Sequence, residues 1–67
     1  MEPFTIPNRA AVAQAIGTSD QYLYQIESRR RLASKLMAEA IERVTEGAVP
    51  RQTVRPDIFP PEQRVAA

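Results

Sequence analysis

The chain of 67 residues contains no cysteine and no histidine. It therefore lacks the thiols of a disulfide or a thiolate zinc site, and it also lacks the commonest metal ligand. No apolar run approaches the roughly 20 residues needed to cross a bilayer, and Met1-Glu2-Pro3 has neither the basic nor the apolar part of a signal peptide. We expect a cytoplasmic protein that has no cofactor. Its stability should depend on side-chain packing.

Groups that carry catalysis are scarce as well. Besides the missing nucleophilic thiol and imidazole base, the chain has only two glycines, too few for a glycine-rich phosphate loop, and no plausible pair of carboxylates in a cleft. We therefore expect no enzymatic activity and no small-molecule substrate.

Charge is nearly balanced, with nine Lys and Arg against eight Asp and Glu. The net charge of +1 does not by itself indicate a nucleic-acid-binding protein, but its distribution along the chain is uneven. Up to residue 35 the basic residues outnumber the acidic ones, and beyond it the acidic residues are in slight excess. One basic face directed toward phosphate is compatible with this pattern.

Six prolines lie near the two ends of the sequence and leave residues 8–49 free of helix breakers. Alanine is abundant in this stretch, apolar residues do not alternate, and no hairpin turn is present. The sequence therefore predicts an all-α fold with three main helices and a short C-terminal turn. We expect one domain over residues 1–60 and a flexible tail over residues 61–67.

The helix boundaries follow from capping residues and apolar spacing. Asn8 is expected to cap the first helix, and Gly17 is expected to end it. The second helix should start at Thr18-Ser19. The third should start at Ser34 and stop at Gly47. Pro50 is expected to open the last turn, through Val54. The predicted apolar faces comprise Val12, Ala13 and Ile16; Tyr22, Leu23 and Ile26; and Leu36, Met37, Ala40, Ile41 and Val44.

Residues 9–28 have the spacing of two helices joined by a tight turn. Ala13 allows a close helix crossing and Gly17 makes the turn. A simple αα-corner is one interpretation, but the segment resembles the helix-turn-helix of the Cro and lambda-type repressors. That resemblance implies that the second helix enters the major groove of DNA.

The resemblance extends to about residues 8–60. It includes Tyr22-Leu23-Tyr24-Gln25-Ile26-Glu27 and the ending Arg55-Pro56-Asp57-Ile58-Phe59, which are similar to prophage Cro-like regulators and to the YdaS family of repressors and antitoxins. Such domains normally carry a full helix before the motif, whereas only residues 1–7 precede it here. Either Phe4 and Ile6 fold back onto the core as an apolar arm, or a partner subunit covers the gap.

If the second helix reads DNA, its outward side chains near the N-terminus contact the bases. Gln21 and Gln25 can each donate and accept, as pairing with adenine requires. Tyr24 either contacts sugar, thymine or phosphate or covers the edge of the core, and Asp20 either contacts cytosine or caps the helix. The predicted base-contacting residues are Ser19, Asp20, Gln21, Tyr24, Gln25 and Ser28.

Phosphate contacts are expected from the arginines that follow this helix and from the start of the first one. The predicted residues are Asn8, Arg9, Gln14, Arg29, Arg30 and Arg31.

A domain of this size binds one half-site weakly, so we expect a homodimer on a palindromic double-stranded operator. Val49, Val54, Ile58 and Phe59 are candidates for the dimer surface, although they can equally complete the core of the monomer. The alternative function is that of a protein-interaction module, such as an antitoxin or an anti-repressor.

Overall fold

The computed structural model of the protein describes residues 2–60. This part of the chain forms four helices and no strand: α1 (Arg9–Ile16), α2 (Asp20–Glu27), α3 (Lys35–Val44) and α4 (Arg51–Val54). The predicted all-α fold, with three main helices and a short C-terminal one, is confirmed. The predicted flexible tail, residues 61–67, lies outside the described residues.

The turn between α1 and α2 depends on Gly17. Its φ of 92° is left-handed, and its N–H, like that of Thr18, donates to the carbonyl of Ala13 at 2.9 Å. These two hydrogen bonds to a carbonyl of the last turn cap the C-terminus of α1. Glycine adopts the required φ without strain because it has no Cβ. The predicted glycine turn is therefore confirmed.

Hydroxyl groups cap the next two helices. Ser19 Oγ accepts a hydrogen bond from the Tyr22 N–H at 3.0 Å, and Ser34 Oγ accepts one from the Met37 N–H at 3.1 Å. Both starts are as predicted, but the alternative role of Asp20 as a cap is wrong because Ser19 occupies that position. Asn8 does precede α1, yet its left-handed φ of 51° leaves its side chain without a capping bond, so the predicted side-chain cap is also wrong.

One hydrophobic cluster joins all four helices. α1 packs against α2 and α3, and α3 packs against α4. Leu23, Ile26, Ile41 and Val54 are its largest fully buried side chains. The other buried members are Ile6, Val12, Ala13, Ala33, Ala38, Val49 and Phe59, with Phe4, Ile16, Tyr22, Met37 and Val44 partly buried against them.

The predicted face of α3 is wrong at its first residue. Leu36 is 77% exposed, whereas Ala38 is fully buried. Two residues along a helix correspond to a rotation of about 200°, so a helix that turns Ala38 and Ile41 inward must turn Leu36 toward solvent.

An N-terminal arm precedes α1 and packs on the core. Ile6 is 3% exposed and belongs to the core, and Phe4 packs against its edge. The Phe4 N–H donates to the carbonyl of Glu27 at 3.0 Å, which fixes the arm on the end of α2. The predicted apolar arm is thus confirmed within a single chain.

The segment after α3 completes the same core. Val49, Val54 and Phe59 are buried in the monomer, and Ile58 is 37% exposed. Of the two roles considered for these residues, the first three therefore fill the core of the monomer. Across residues 2–60, no helix combines the length and the apolar character that a membrane span requires.

Candidate functional site

The outer face of α2 carries polar side chains. Gln21, Tyr24, Gln25 and Ser28 follow the helical spacing that places residues on one side. Gln21 is exposed, Tyr24 is 42% exposed, and Gln25 and Ser28 are half-buried. The opposite side holds the buried Leu23 and Ile26, so α2 separates a core face from a polar face.

Ser19 and Asp20 lie at the start of this face, and both side chains have partners within the chain. Ser19 caps α2. The Asp20 carboxylate accepts from Arg9 Nε at 2.7 Å and from Arg9 Nη2 at 3.2 Å. These bonds lower the pKa of Asp20 below its usual value, so the group is ionised over an extended acid range.

Arg9 also reaches the far end of α2. Its Nη1 donates to Glu27 Oε1, while the buried Ile6 N–H donates to Glu27 Oε2 at 2.8 Å. Hydrogen bonds to the two carboxylates raise the pKa of Arg9. One guanidinium therefore links the start of α1 to the first and last residues of α2.

The sequence predicts a phosphate contact for Arg9 and does not predict that its guanidinium pairs with Asp20 and Glu27. The two carboxylates are 11 and 18 residues away, and no local pattern joins positions so far apart. The guanidinium also lies 5.1 Å from the centroid of the Tyr24 ring, a cation–π distance that supports the half-exposed tyrosine on the outer face.

Arg29 is half-buried, and its guanidinium is bonded within the molecule. It has a left-handed φ of 65°, and its guanidinium donates to the carbonyls of Glu2 at 2.8 Å, Val54 at 2.6 Å and Thr53 at 2.7 Å. It also stacks 4.6 Å from the ring of Phe4. Desolvation lowers its pKa, and its donors join the N-terminal arm to α4.

Arg30 and Arg31 are exposed beside α2. The Arg30 guanidinium lies 5.9 Å from the centroid of the Tyr24 ring, and within residues 2–60 it forms no ion pair. Arg31 Nε donates to Gln25 Oε1 at 3.2 Å, and its guanidinium lies 5.6 Å from the ring of Tyr22. The arginine run is therefore divided into one half-buried residue that is bonded to backbone carbonyls and two exposed residues.

The remaining predicted residues, Asn8 and Gln14, are exposed at the start and along the outer side of α1. An open cavity of about 280 Å³ lies between this start and the end of α3. It is lined by Pro7, Asn8, Ala11, Val12, Val44 and Thr45. No residue of α2 lines it, so it is separate from the polar face of that helix.

Asp20 and Glu27 are the two carboxylates of α2, and both are paired with Arg9. In the part of the chain that the structure describes, acidic side chains do not gather into a group of three or more that could hold a metal ion. The polar face of α2 thus offers hydrogen-bonding amides, a phenol and guanidinium groups.

Comparison with known proteins finds one similar sequence. The chain is 29% identical to a prophage transcriptional regulatory protein of Escherichia coli (strain K12) over 59 residues, which cover 88% of this chain and 89% of that protein. No protein-family model matches the chain, and no solved structure matches it.

Proposed function

We propose that the protein is a sequence-specific double-stranded DNA-binding transcriptional regulator of the Cro-like or YdaS-like prophage type. α2 is its recognition helix, inserted in the major groove of a palindromic operator. The similarity to a prophage transcriptional regulatory protein of Escherichia coli supports the regulatory role. Such a role belongs in the bacterial cytoplasm, on the nucleoid, and needs no catalysis.

The observation that carries this proposal is the division of α2 into two faces. Leu23 and Ile26 are fully buried against the other helices, while Gln21 and Tyr24 are exposed. A recognition helix needs this arrangement, because its core face anchors it while its outer amides reach donors and acceptors on the base edges. Ser19, Asp20, Gln25 and Ser28 complete the proposed reading surface.

The predicted phosphate-contacting residues fall into two groups, according to whether their side chains are already bonded within the chain. Asn8, Gln14 and Arg30 have exposed side chains and are proposed to contact the DNA backbone around the helix-turn-helix. Arg9 and Arg29 instead position the motif, because their donors are bonded within the chain. The proposed affinity therefore depends on fewer cationic side chains than the sequence contains.

A second copy is needed on energetic grounds. One small domain makes few base contacts, whereas two domains related by a two-fold axis read both halves of a palindrome. Leu32 and Leu36 are 54% and 77% exposed. We propose that these two leucines lie at the contact between the two copies. Val49, Val54 and Phe59 are no longer proposed there, because they are buried within the monomer.

The proposal is tested by selecting sequences from a pool of randomised DNA duplexes with the full chain at low salt, followed by gel shifts on the selected duplex. We expect one palindromic sequence to be enriched. The double variant Gln21→Ala/Gln25→Ala should bind it at least about tenfold more weakly, because each good amide contact to a base contributes roughly 1–3 kcal/mol.

The matched control is Arg43→Ala, which removes an exposed side chain from α3 and should leave the affinity unchanged. Failure to enrich any duplex at low salt and adequate protein concentration would reject the proposal. That result would favour the interaction module, in which the helical fold serves a protein partner.

A further inference from the structure

Gln25 and Arg31 form a coupled pair on the outer side of α2. Arg31 Nε donates to Gln25 Oε1 at 3.2 Å. The backbone N–H groups of Arg30 and Arg31 donate to the Gln25 carbonyl at 2.9 and 3.2 Å. The chain that leaves α2 is thus folded back over Gln25, and the Arg31 side chain lies beside the amide instead of extending away from the helix.

The orientation of the amide follows from the chemistry of arginine. A guanidinium has donors and no acceptor, so the Gln25 group that faces it must be the oxygen. The ring of Tyr22 lies 5.6 Å from the guanidinium and supports it from another side. Two side chains of α2, Gln25 and Tyr22, therefore contact the Arg31 guanidinium.

Arg31 donates to Gln25 through Nε, and within residues 2–60 its two Nη groups form no hydrogen bond. The two Nη groups lie side by side at the end of the guanidinium and can donate together to one partner. This edge of two Nη groups matches the N7 and O6 acceptors of guanine in the major groove, the commonest specific contact of arginine with DNA. The Arg31 guanidinium is hydrogen-bonded to the Gln25 side chain. If Gln25 lies close to the bases of an operator, Arg31 therefore lies close to them as well.

We propose that Arg31 is a guanine-reading residue and that Gln25 is its positioning residue. This inference rests on the proposed function and changes the role expected for Arg31, from a contact with phosphate to a contact with a base. Gln21 has no such neighbour among the described contacts and keeps both amide groups for adenine. Each half-site is therefore expected to contain a guanine read by Arg31 and an adenine read by Gln21.

The test compares duplex pools selected by the wild-type chain, Arg31→Ala and Arg30→Ala. Arg31→Ala should lose its preference for guanine at one position of each half-site, by about ten- to a hundredfold, while the other positions stay selective. Arg30→Ala removes the same charge one residue away. It should keep every base preference, bind all sequences more weakly and lower the salt dependence by about one counterion.

The positioning role has its own readout. Gln25→Ala should weaken the guanine preference, and Gln25→Glu should restore it, because a carboxylate accepts from Arg31 Nε as the amide does. Arg31→Lys keeps the charge without the paired Nη edge and should also lose the preference. Circular dichroism melting verifies that each variant is folded, and the exposure of Arg31 predicts unchanged melting.

Two failures can be told apart. If the wild-type chain enriches a duplex and Arg31→Ala enriches the same one with uniformly lower affinity, Arg31 contacts phosphate and this inference is wrong while the proposed function stands. If the wild-type chain enriches no duplex, the proposed function is wrong and the inference falls with it.

Discussion

Glu27 is a buried carboxylate whose two oxygens have separate tasks. One accepts from Arg9 and the other from the N–H of Ile6, and the residue is only 9% exposed. A buried acceptor of this kind is costly to remove because it leaves its donors unpaired. The carboxylate therefore ties both the arm and α1 to the end of α2.

Glu27→Ala should lower the free energy of unfolding by roughly 1–3 kcal/mol, since the buried N–H of Ile6 would lose its acceptor. For a domain of this size the melting temperature should fall by about 4–8 °C per kcal/mol, as measured by circular dichroism. Glu27→Gln retains an amide oxygen for Ile6 and should lose less. Equal stability of Glu27→Ala and the wild-type protein would contradict this role.

At single positions, the sequence predicted local interactions better than distant ones. Ser19 and Ser34 were identified as helix starts because a cap bonds a backbone group three residues away. The roles of Arg9 and Arg29 were not identified, because their partners lie 11 to 27 residues away. Composition and spacing carry no information on such pairs until the fold is known.

The glycine turn determines how α1 and α2 meet. Gly17 has a φ of 92°, and a Cβ added there would meet no atom within 4 Å. A substitution is therefore opposed by backbone conformation and not by crowding. The cost of a side chain at this position therefore arises from the left-handed φ.

Gly17→Ala should lower the free energy of unfolding by about 1 kcal/mol or slightly more, because an L-residue is strained in the left-handed region. Urea unfolding measures the change. Gly47→Ala is the matched comparison, since Gly47 has a φ of 85° and equally open space, and it should cost a similar amount. Unchanged stability of Gly17→Ala would show that the turn adopts another conformation.

Whole helices were predicted more successfully than their inward faces. Ser34 marks the start of α3 as predicted, and the predicted stop, Gly47, lies three residues beyond its last residue, Val44. The apolar residues of α3 span more than one side, and the sequence assigns Leu36 to the core in place of Ala38. A leucine is normally the better core residue. Helix periodicity decides instead, because Ile41 is fully buried and Ala38, three residues before it, lies on the same face.

At the scale of the molecule, Leu36 is the most exposed of the large apolar side chains in residues 2–60. If it lies in the proposed dimer contact, Leu36→Glu should shift the protein toward the monomer and weaken operator binding, because a charge there would be desolvated. Sedimentation equilibrium and gel shifts measure the two effects. The stability of the monomer should change by no more than about 0.5 kcal/mol, as for other surface substitutions.

Ile58→Glu is the comparison for this prediction, since Ile58 is the one residue of the sequence-predicted dimer surface that stays partly exposed. It should leave the dimer intact. A Leu36→Glu variant that associates and binds DNA like the wild-type protein would place the contact elsewhere.

The hydrogen bonds of Arg29 make the stability of the helix-turn-helix depend on a later part of the chain. It bonds Glu2 on one side and Thr53 and Val54 on the other, so residues near both ends of the described chain are joined through one guanidinium. On the ribosome, the helix-turn-helix emerges well before residues 53 and 54, and until they follow it Arg29 has no acceptor from α4. The stability of the helix-turn-helix is thereby coupled to the presence of the last helix, and a chain truncated before Thr53 should be digested by protease faster than the full chain.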